Sequence, residues 1–250
     1  MRVAALSSVS GNLHPPPLAP EQALFLDFDG TLVELAAAPD LIMVSPALPS
    51  LIASVAERLG GALAIVSGRP VEALGRFLDP FAGILIGQHG FECRGADGKL
   101  TRRPAPPALA PIRAMLVEFA TRHPGLRLED KGGTLSLHFR AMPALADACR
   151  RLARRATIAS CGRFRTIAGH DVVELVPQSI GKEHAIATCL AAPPFRGRVP
   201  VFIGDDTGDE AGLALVDRQG GVAIRVGAGA SAASYRLETP AAVRAWLTAR

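Results

Sequence analysis

A short apolar run, Ala23 to Leu26, ends abruptly in two carboxylates two residues apart, Asp27 and Asp29, followed by Gly30 and Thr31. A run this short, built of bulky apolar residues and closed by an Asp-Gly turn signal, reads as a buried strand. Ligands of open parallel α/β sheets bind just beyond the carboxyl ends of strands, which is where these acids fall. Held together there they repel, so they call for a cation, a shared proton or both. The alternative for this stretch is an Asp-Gly turn on an exposed loop, and the remainder of the chain bears on the choice.

Downstream, Ser45-Pro46 supplies an N-cap and a first-turn proline, and Leu48, Leu51, Ile52, Val55 and Leu59 recur at helical spacing up to Gly60-Gly61. A second apolar run, Ala62–Val66, ends in Ser67-Gly68-Arg69-Pro70. Strand, helix, strand is the unit of parallel sheets with right-handed crossovers. A helix over Val71–Leu78 and a strand over Gly83–Ile86 follow, the latter ending in Gly87-Gln88-His89-Gly90. The same pattern returns near the end of the chain. A helix follows Gly181-Lys182, the strand Val199–Ile203 runs into Gly204-Asp205-Asp206-Thr207-Gly208-Asp209-Glu210, and a helix through Leu213 and Val216 leads to the strand Val222–Val226. A last helix is capped by Thr239-Pro240.

Between these halves the character changes. Residues 94–111 are rich in Pro, Gly and charge and read as a linker. Leu109, Ile112, Met115, Leu116 and Phe119 make an amphipathic helix. Leu126–Leu128 and Thr134–Arg140 flank Glu129-Asp130-Lys131-Gly132-Gly133 as a hairpin, with Leu135, Leu137 and Phe139 on one face and Ser136, His138 and Arg140 on the other. A helix (Pro143–Arg155) and two strands (Phe164–Ala168, Val172–Val176) complete a small α+β unit. The expected fold class is therefore α/β, a doubly wound parallel core with an inserted smaller α+β domain. The expected division is a flexible leader over 1–20, a core over 21–91 and 178–250, and the insertion over 92–177.

Composition narrows the function classes. The 250 residues are 49% apolar and carry a net charge of +4, with basic residues scattered apart from Arg150–Arg155. That cluster sits on an amphipathic helical pattern and reads as a solvated face, so no nucleic-acid partner is implied. The four cysteines (Cys93, Cys149, Cys161, Cys189) show no C-x-x-C pair and no zinc spacing. Without a signal-peptide pattern or an apolar stretch of ~18 residues, no membrane partner is expected, and a cytoplasmic monomer is.

Four strand-end or helix-start features then share one edge of one sheet: Asp27 with Asp29, Ser67, Lys182, and Asp205 with Asp206. Taken singly, Ser67-Gly68 is a turn, Lys182 a solvated helix residue, and the 205–210 acids companions of a helix dipole. Taken together, carboxylates, hydroxyl and ammonium form a phosphate and divalent-metal site. Carboxylate oxygens suit Mg²⁺, and a metal lets an anionic nucleophile approach an anionic phosphoryl group. One Asp can attack phosphorus while the other exchanges protons, and serine and lysine can bind the equatorial oxygens.

The pattern D-x-D-G-T, S-G-R, G-K and G-D-D-x-x-D-E resembles the haloacid-dehalogenase-like phosphatases. The resemblance implies Asp27 as nucleophile and Asp29 as general acid/base. It implies phosphate binding by Ser67, Gly68 and Lys182, and Mg²⁺ held by Asp27, Asp205 and the main-chain carbonyl of Asp29, with Asp206 and Asp209 supporting the metal shell. It also implies that the insertion is a cap closing over the substrate. Finer stretches, Gly87–Glu92, Leu128–Arg140, Gly169–Pro177 and Gly204–Leu213, resemble the trehalose-6-phosphate phosphatase family, nearly collinearly from about residue 22 to the end. By that resemblance the partner is a small-molecule sugar phosphate, trehalose 6-phosphate. Arg69, His89, Glu92, Lys131 and Glu174 would contact it, with His138 and Arg140 as neighbours. Gly208 stands where the family usually has Thr, which would loosen the Asp209 shell, and His170 stands where it tends to have Lys. The alternatives are a phosphatase of another sugar phosphate (sucrose phosphate or mannosyl-glycerate phosphate), a phosphomutase, and a catalytically silent phosphosugar-binding protein.

Overall fold

A computed structural model describes residues 13–36, 41–169 and 171–249. The chain opens with β1 (Gln22–Leu26), α1 (Leu48–Arg58), β2 (Leu63–Val66), α2 (Val71–Phe77) and β3 (Ile84–Gly87). Two short strands, β4 (Glu92–Arg94) and β5 (Leu100–Arg102), come next. A second group holds α3 (Leu109–Thr121), β6 (Arg127–Asp130), β7 (Leu135–His138), α4 (Ala146–Ala159), β8 (Phe164–Gly169) and β9 (Val172–Pro177). The chain then returns through α5 (Lys182–Leu190), β10 (Val199–Gly204), α6 (Glu210–Arg218), β11 (Val222–Val226), β12 (Tyr235–Leu237) and α7 (Pro240–Thr248).

The larger sheet has the order β12-β11-β10-β1-β2-β3-β4-β5. It is parallel from β12 to β3, and β1 pairs with both β10 and β2, so it sits at the centre, buried along its whole length. That is why β1 reads as an uninterrupted apolar run rather than an alternating one. The smaller sheet is antiparallel, β6-β7-β9-β8, and its apolar face packs on α3 and α4 through Leu135, Leu137, Phe139, Val173 and Leu175. Each sheet has its own buried apolar cluster.

Four local expectations shift. The linker begins late: β4 and β5 extend the core sheet as an antiparallel edge hairpin, with the Gly95–Gly98 turn closed by the Gly98 N–H on the Gly95 carbonyl at 3.0 Å. An exposed hairpin this short carries the Gly, Asp and Lys of its turn, which in sequence look like linker chemistry. The leader is not loose over its described part: Leu13 bridges Tyr235, and the Trp246 Nε1–H donates to the Pro16 carbonyl at 3.0 Å. Residues 1–12 lie outside the described residues. Helix α1 starts at Leu48 because Ser45 builds a turn instead, its carbonyl accepting from the Leu48 N–H at 2.9 Å, and Pro49 takes the first-turn position. Strand β12 has too few residues to show a pattern.

Candidate active site

The register of the parallel strands assembles the site. Leu26 lies level with Ile203 of β10 and with Ile65 of β2. The residues just past those strand ends therefore meet at one edge: Asp27, Ser67 and the Gly204-Asp205-Asp206 turn. Lys182 enters from the first turn of α5. Its Nζ lies 2.7 Å from Asp27 Oδ1 and 2.5 Å from Asp209 Oδ1, with all three side chains buried. Asp27, Asp205 and Asp209 each offer an oxygen within 4.8 Å of the others.

Three carboxylates around one ammonium leave an excess of negative charge in a dry place. Burial, opposed by Lys182 and reinforced by Asp209 and Asp205, pushes the Asp27 carboxyl well above the usual carboxylate range. Burial and Asp209 push Asp205 up to about 6. Burial would discharge Lys182, but Asp209 and Asp27 outweigh it and hold the ammonium charged. An all-oxygen cluster in which burial and repulsion push Asp27 and Asp205 up fits a hard divalent cation. Gly30 lets the turn cross this cluster: its φ is +72°, and a Cβ there would lie 2.1 Å from Asp205 Oδ2. The neighbouring Thr31 hydroxyl donates to Asp205 Oδ1 at 3.3 Å.

Asp209 is held more firmly than the Gly208 departure suggests. Its Oδ2 accepts from the N–H groups of Asp205 and Asp206, each at 3.1 Å, while Oδ1 takes Lys182. The hydroxyl at this turn belongs to Thr207, which donates to the Ala168 carbonyl of β8 at 2.7 Å and so ties the turn to the smaller sheet. The other departure, His170, lies outside the described residues.

The polar face of the smaller sheet turns to the same region. In register across it lie Glu129, Ser136, Glu174 and Ile167. Glu174 accepts from Lys131 Nζ at 2.9 Å, from Ser136 Oγ at 2.7 Å and pairs with His89 Nε2 at 2.6 Å. Burial opposes its charge, yet Lys131 and His89 hold it well below the ordinary carboxylate range. Lys131 also donates to the Gly68 carbonyl at 3.2 Å, and a Cβ on Gly68 would meet the His89 ring at 2.9 Å. Thus Gly68, His89, Lys131 and Glu174 are brought together. His89 adopts φ +58°, a strained conformation for a non-glycine residue, and among the described residues its buried Nδ1 has no hydrogen-bond partner.

Glu92 is not part of that group. It is 2% exposed, and its oxygens accept from the Val71 N–H at 2.6 Å and Arg102 Nε at 2.9 Å, which fastens α2 and β5 to β4. Arg69 directs its guanidinium at Asp29, and Arg140 reaches Asp171 and the Ala36 carbonyl. Two residues of the polar face were not singled out from the sequence. Glu129 was read into the turn, but β6 runs to Asp130, and alternation from Lys131 would have put Glu129 on the same face. His138 Nε2 lies 3.0 Å from it. Ser136, on the face opposite Leu135 and Leu137, is fully buried.

The fold and this strand-end site define a haloacid-dehalogenase-like hydrolase. A protein of that title from Bacteroides thetaiotaomicron superposes with a TM-score of 0.63 at 16% identity, over 90% of this chain and 97% of that one. The Candida albicans trehalose-6-phosphate phosphatase C-terminal domain superposes with a TM-score of 0.80 at 18% identity, covering 94% and 97%. A family profile described as trehalose-phosphatase matches residues 25–241, and the chain belongs to that family. The trehalose-6-phosphate phosphatase of Escherichia coli (strain K12) is 38% identical over 233 residues, 93% of this chain and 87% of that protein. A probable trehalose-phosphate phosphatase of Sinorhizobium fredii is 37% identical over 205 residues, 82% and 77% respectively.

Proposed function

We propose that this chain is a Mg²⁺-dependent phosphomonoesterase that hydrolyses trehalose 6-phosphate to trehalose and phosphate. The observation that carries the reading is the meeting of two surfaces. The Asp27, Asp205, Asp209 and Lys182 cluster handles phosphate, and the polar sheet face of Glu129, Lys131, Ser136 and Glu174 touches the phosphate loop at Gly68. Mixed donors and acceptors of this kind suit a ring of hydroxyls, since each unmatched buried hydroxyl costs binding. Residues beyond the core hairpin, through Pro177, act as the cap. The same proposal covers a cytoplasmic monomer; among the described residues no helix is long and apolar enough to cross a membrane, and the four cysteines are free.

Asp27 and Asp205 with the Asp29 carbonyl would hold the cation, with Asp209 supporting that shell, and the cation would supply charge neutralisation at the phosphoryl oxygens. Asp27 attacks phosphorus and the bond to the sugar oxygen breaks, that oxygen taking a proton from Asp29. Water then attacks the aspartyl phosphate, giving its proton to Asp29 and freeing Asp27. Ser67 and Lys182 bind the equatorial oxygens, and Asp209 keeps Lys182 aimed.

The test is Mg²⁺-dependent phosphate release from trehalose 6-phosphate, sucrose 6-phosphate, glucose 6-phosphate and 4-nitrophenyl phosphate. Strong preference for the first is expected; equal rates on all four would retain the phosphatase and discard the sugar. Glu174→Gln should lower kcat/KM for trehalose 6-phosphate about 100-fold while leaving 4-nitrophenyl phosphate within about threefold, because only the sugar loses a matched partner. A parallel fall on both substrates would place Glu174 outside sugar recognition.

The Asp205 carboxyl, pushed up to about 6, gives a pH signature. Below that pH a cation must displace a proton to bind, so the Mg²⁺ concentration for half-maximal activity should rise about tenfold per pH unit on going down. A half-saturating concentration that stays flat between pH 5 and pH 8 would remove Asp205 from the cation site.

A further inference from the structure

Arg69 follows the phosphate loop and lies against a pair of stacked rings. Its guanidinium carbon lies 5.9 Å from the Phe28 ring centroid and 5.3 Å from that of Phe77, and the two rings stack at 5.9 Å. From there Nε donates to Asp29 Oδ2 at 2.6 Å and Nη2 to Asp29 Oδ1 at 2.7 Å. The backbone is pinned as well: the Arg69 N–H donates to Ser67 Oγ at 3.1 Å, and its carbonyl accepts from the Gln88 N–H at 3.0 Å. A two-pronged arginine–carboxylate pair fixes the plane of the carboxyl as well as its distance, which a lysine cannot do. Each carboxylate oxygen still has a further lone pair for a second partner.

We propose that Arg69 is a positioning residue for Asp29, and that its fork, held against the two rings, sets the carboxyl plane from which the leaving oxygen is protonated. The proposal rests on the phosphatase reading above. In the first half-reaction the Asp27–phosphorus bond forms, the bond from phosphorus to the leaving oxygen breaks, and a proton passes from Asp29 to that oxygen. In the second, water bonds to phosphorus, its proton goes to Asp29, and the Asp27–phosphorus bond breaks. A mis-set Asp29 costs most where the leaving oxygen most needs the proton, since general acid catalysis contributes more as the leaving group worsens.

Aryl phosphates test this without a sugar. In Arg69→Gln with Mg²⁺, kcat/KM should fall further for phenyl phosphate than for 4-nitrophenyl phosphate, raising the ratio of the two at least about tenfold. Asp29→Asn should raise the same ratio, and adding Arg69→Gln to it should change the ratio by less than about twofold, as expected when one residue acts through the other. Arg69→Lys, which keeps the charge and loses the fork, should fall between and carries the test if Arg69→Gln folds poorly. An equal fall on both aryl phosphates would make Arg69 a phosphate anchor instead, and a loss confined to the sugar phosphate would make it a sugar contact. Full additivity with Asp29→Asn would also overturn the proposal. A wild-type protein that hydrolyses no phosphomonoester defeats the phosphatase reading, whereas wild-type turnover with an unmoved ratio defeats only the role of Arg69.

Discussion

Asp27→Asn is expected to lower kcat by about 10⁴-fold or more while raising the thermal midpoint of the metal-free protein by a few degrees at neutral pH. The activity loss follows from the proposed mechanism, in which Asp27 is the group that bonds to phosphorus. The stability gain follows from the cluster around it. Asp27 is buried beside Asp205 and Asp209, and burial with those neighbours outweighs Lys182, so its carboxyl stands well above the usual range. A carboxyl raised by folding stabilises fully below its unfolded value near 4, and that contribution is lost as pH rises through the folded value. At neutral pH the metal-free protein therefore bears the cost of a buried charge that asparagine does not carry. The advantage of the variant should grow from about pH 4 upward and shrink when Mg²⁺ is added, because the cation relieves the wild type more than the variant. A melting series across pH that shows the variant less stable throughout would mean that Lys182 compensates Asp27 completely.

Such coupling was legible only in part from the sequence. Asp27, Ser67, Lys182 and Asp205 could be placed because each sits where a short apolar run stops or a helix starts, and a parallel sheet brings such positions to one edge whatever the long-range detail. Local signals of that kind survive without coordinates. The partners of these groups do not. Arg69 and Asp29 are 40 residues apart, and nothing near Arg69 says that its fork turns to the acid rather than to phosphate. Glu92 carries the same ambiguity: an acid beside a turn looks available, yet the Val71 N–H of α2 and the Arg102 guanidinium of β5 claim it. Glu129 was hidden by its neighbours, since Gly132-Gly133 marks a turn and the strand extends further towards it than composition implies.

The smaller sheet makes the opposite point. Alternation assigned its two faces at once, because Leu135, Leu137 and Phe139 can only pack on the helices. The fate of the other face depends on what approaches it. Ser136 is buried because the Gly68 and His89 loop of the core closes on Lys131 and Glu174, a contact made by residues from both halves of the chain. Periodicity reports which residues share a face and is silent on which second surface covers it.

Lys182→Met should cost stability where Asp27→Asn gains it, though both variants lose activity. Among the described residues the ammonium is the one cation paired with both Asp27 and Asp209, and all three side chains are at most 6% exposed. Removing one member of a buried charge cluster leaves the others uncompensated, which typically costs about 3–5 kcal/mol. For a chain of this size that is a fall of roughly 10 °C in thermal midpoint. The sign with pH is fixed by the same groups. Towards pH 4, where Asp27 is protonated folded and unfolded alike, much of the deficit should vanish, whereas at pH 7.5 it should be full. Combining Lys182→Met with Asp27→Asn should restore part of the loss, since one of the two carboxylates that faced the ammonium is then neutral, and the two changes should be non-additive by 1 kcal/mol or more, roughly. A Lys182→Met protein that melts with the wild type at pH 7.5 would show that the cluster is already protonated there without the ammonium. The nucleophile would then have to be ionised by the cation alone.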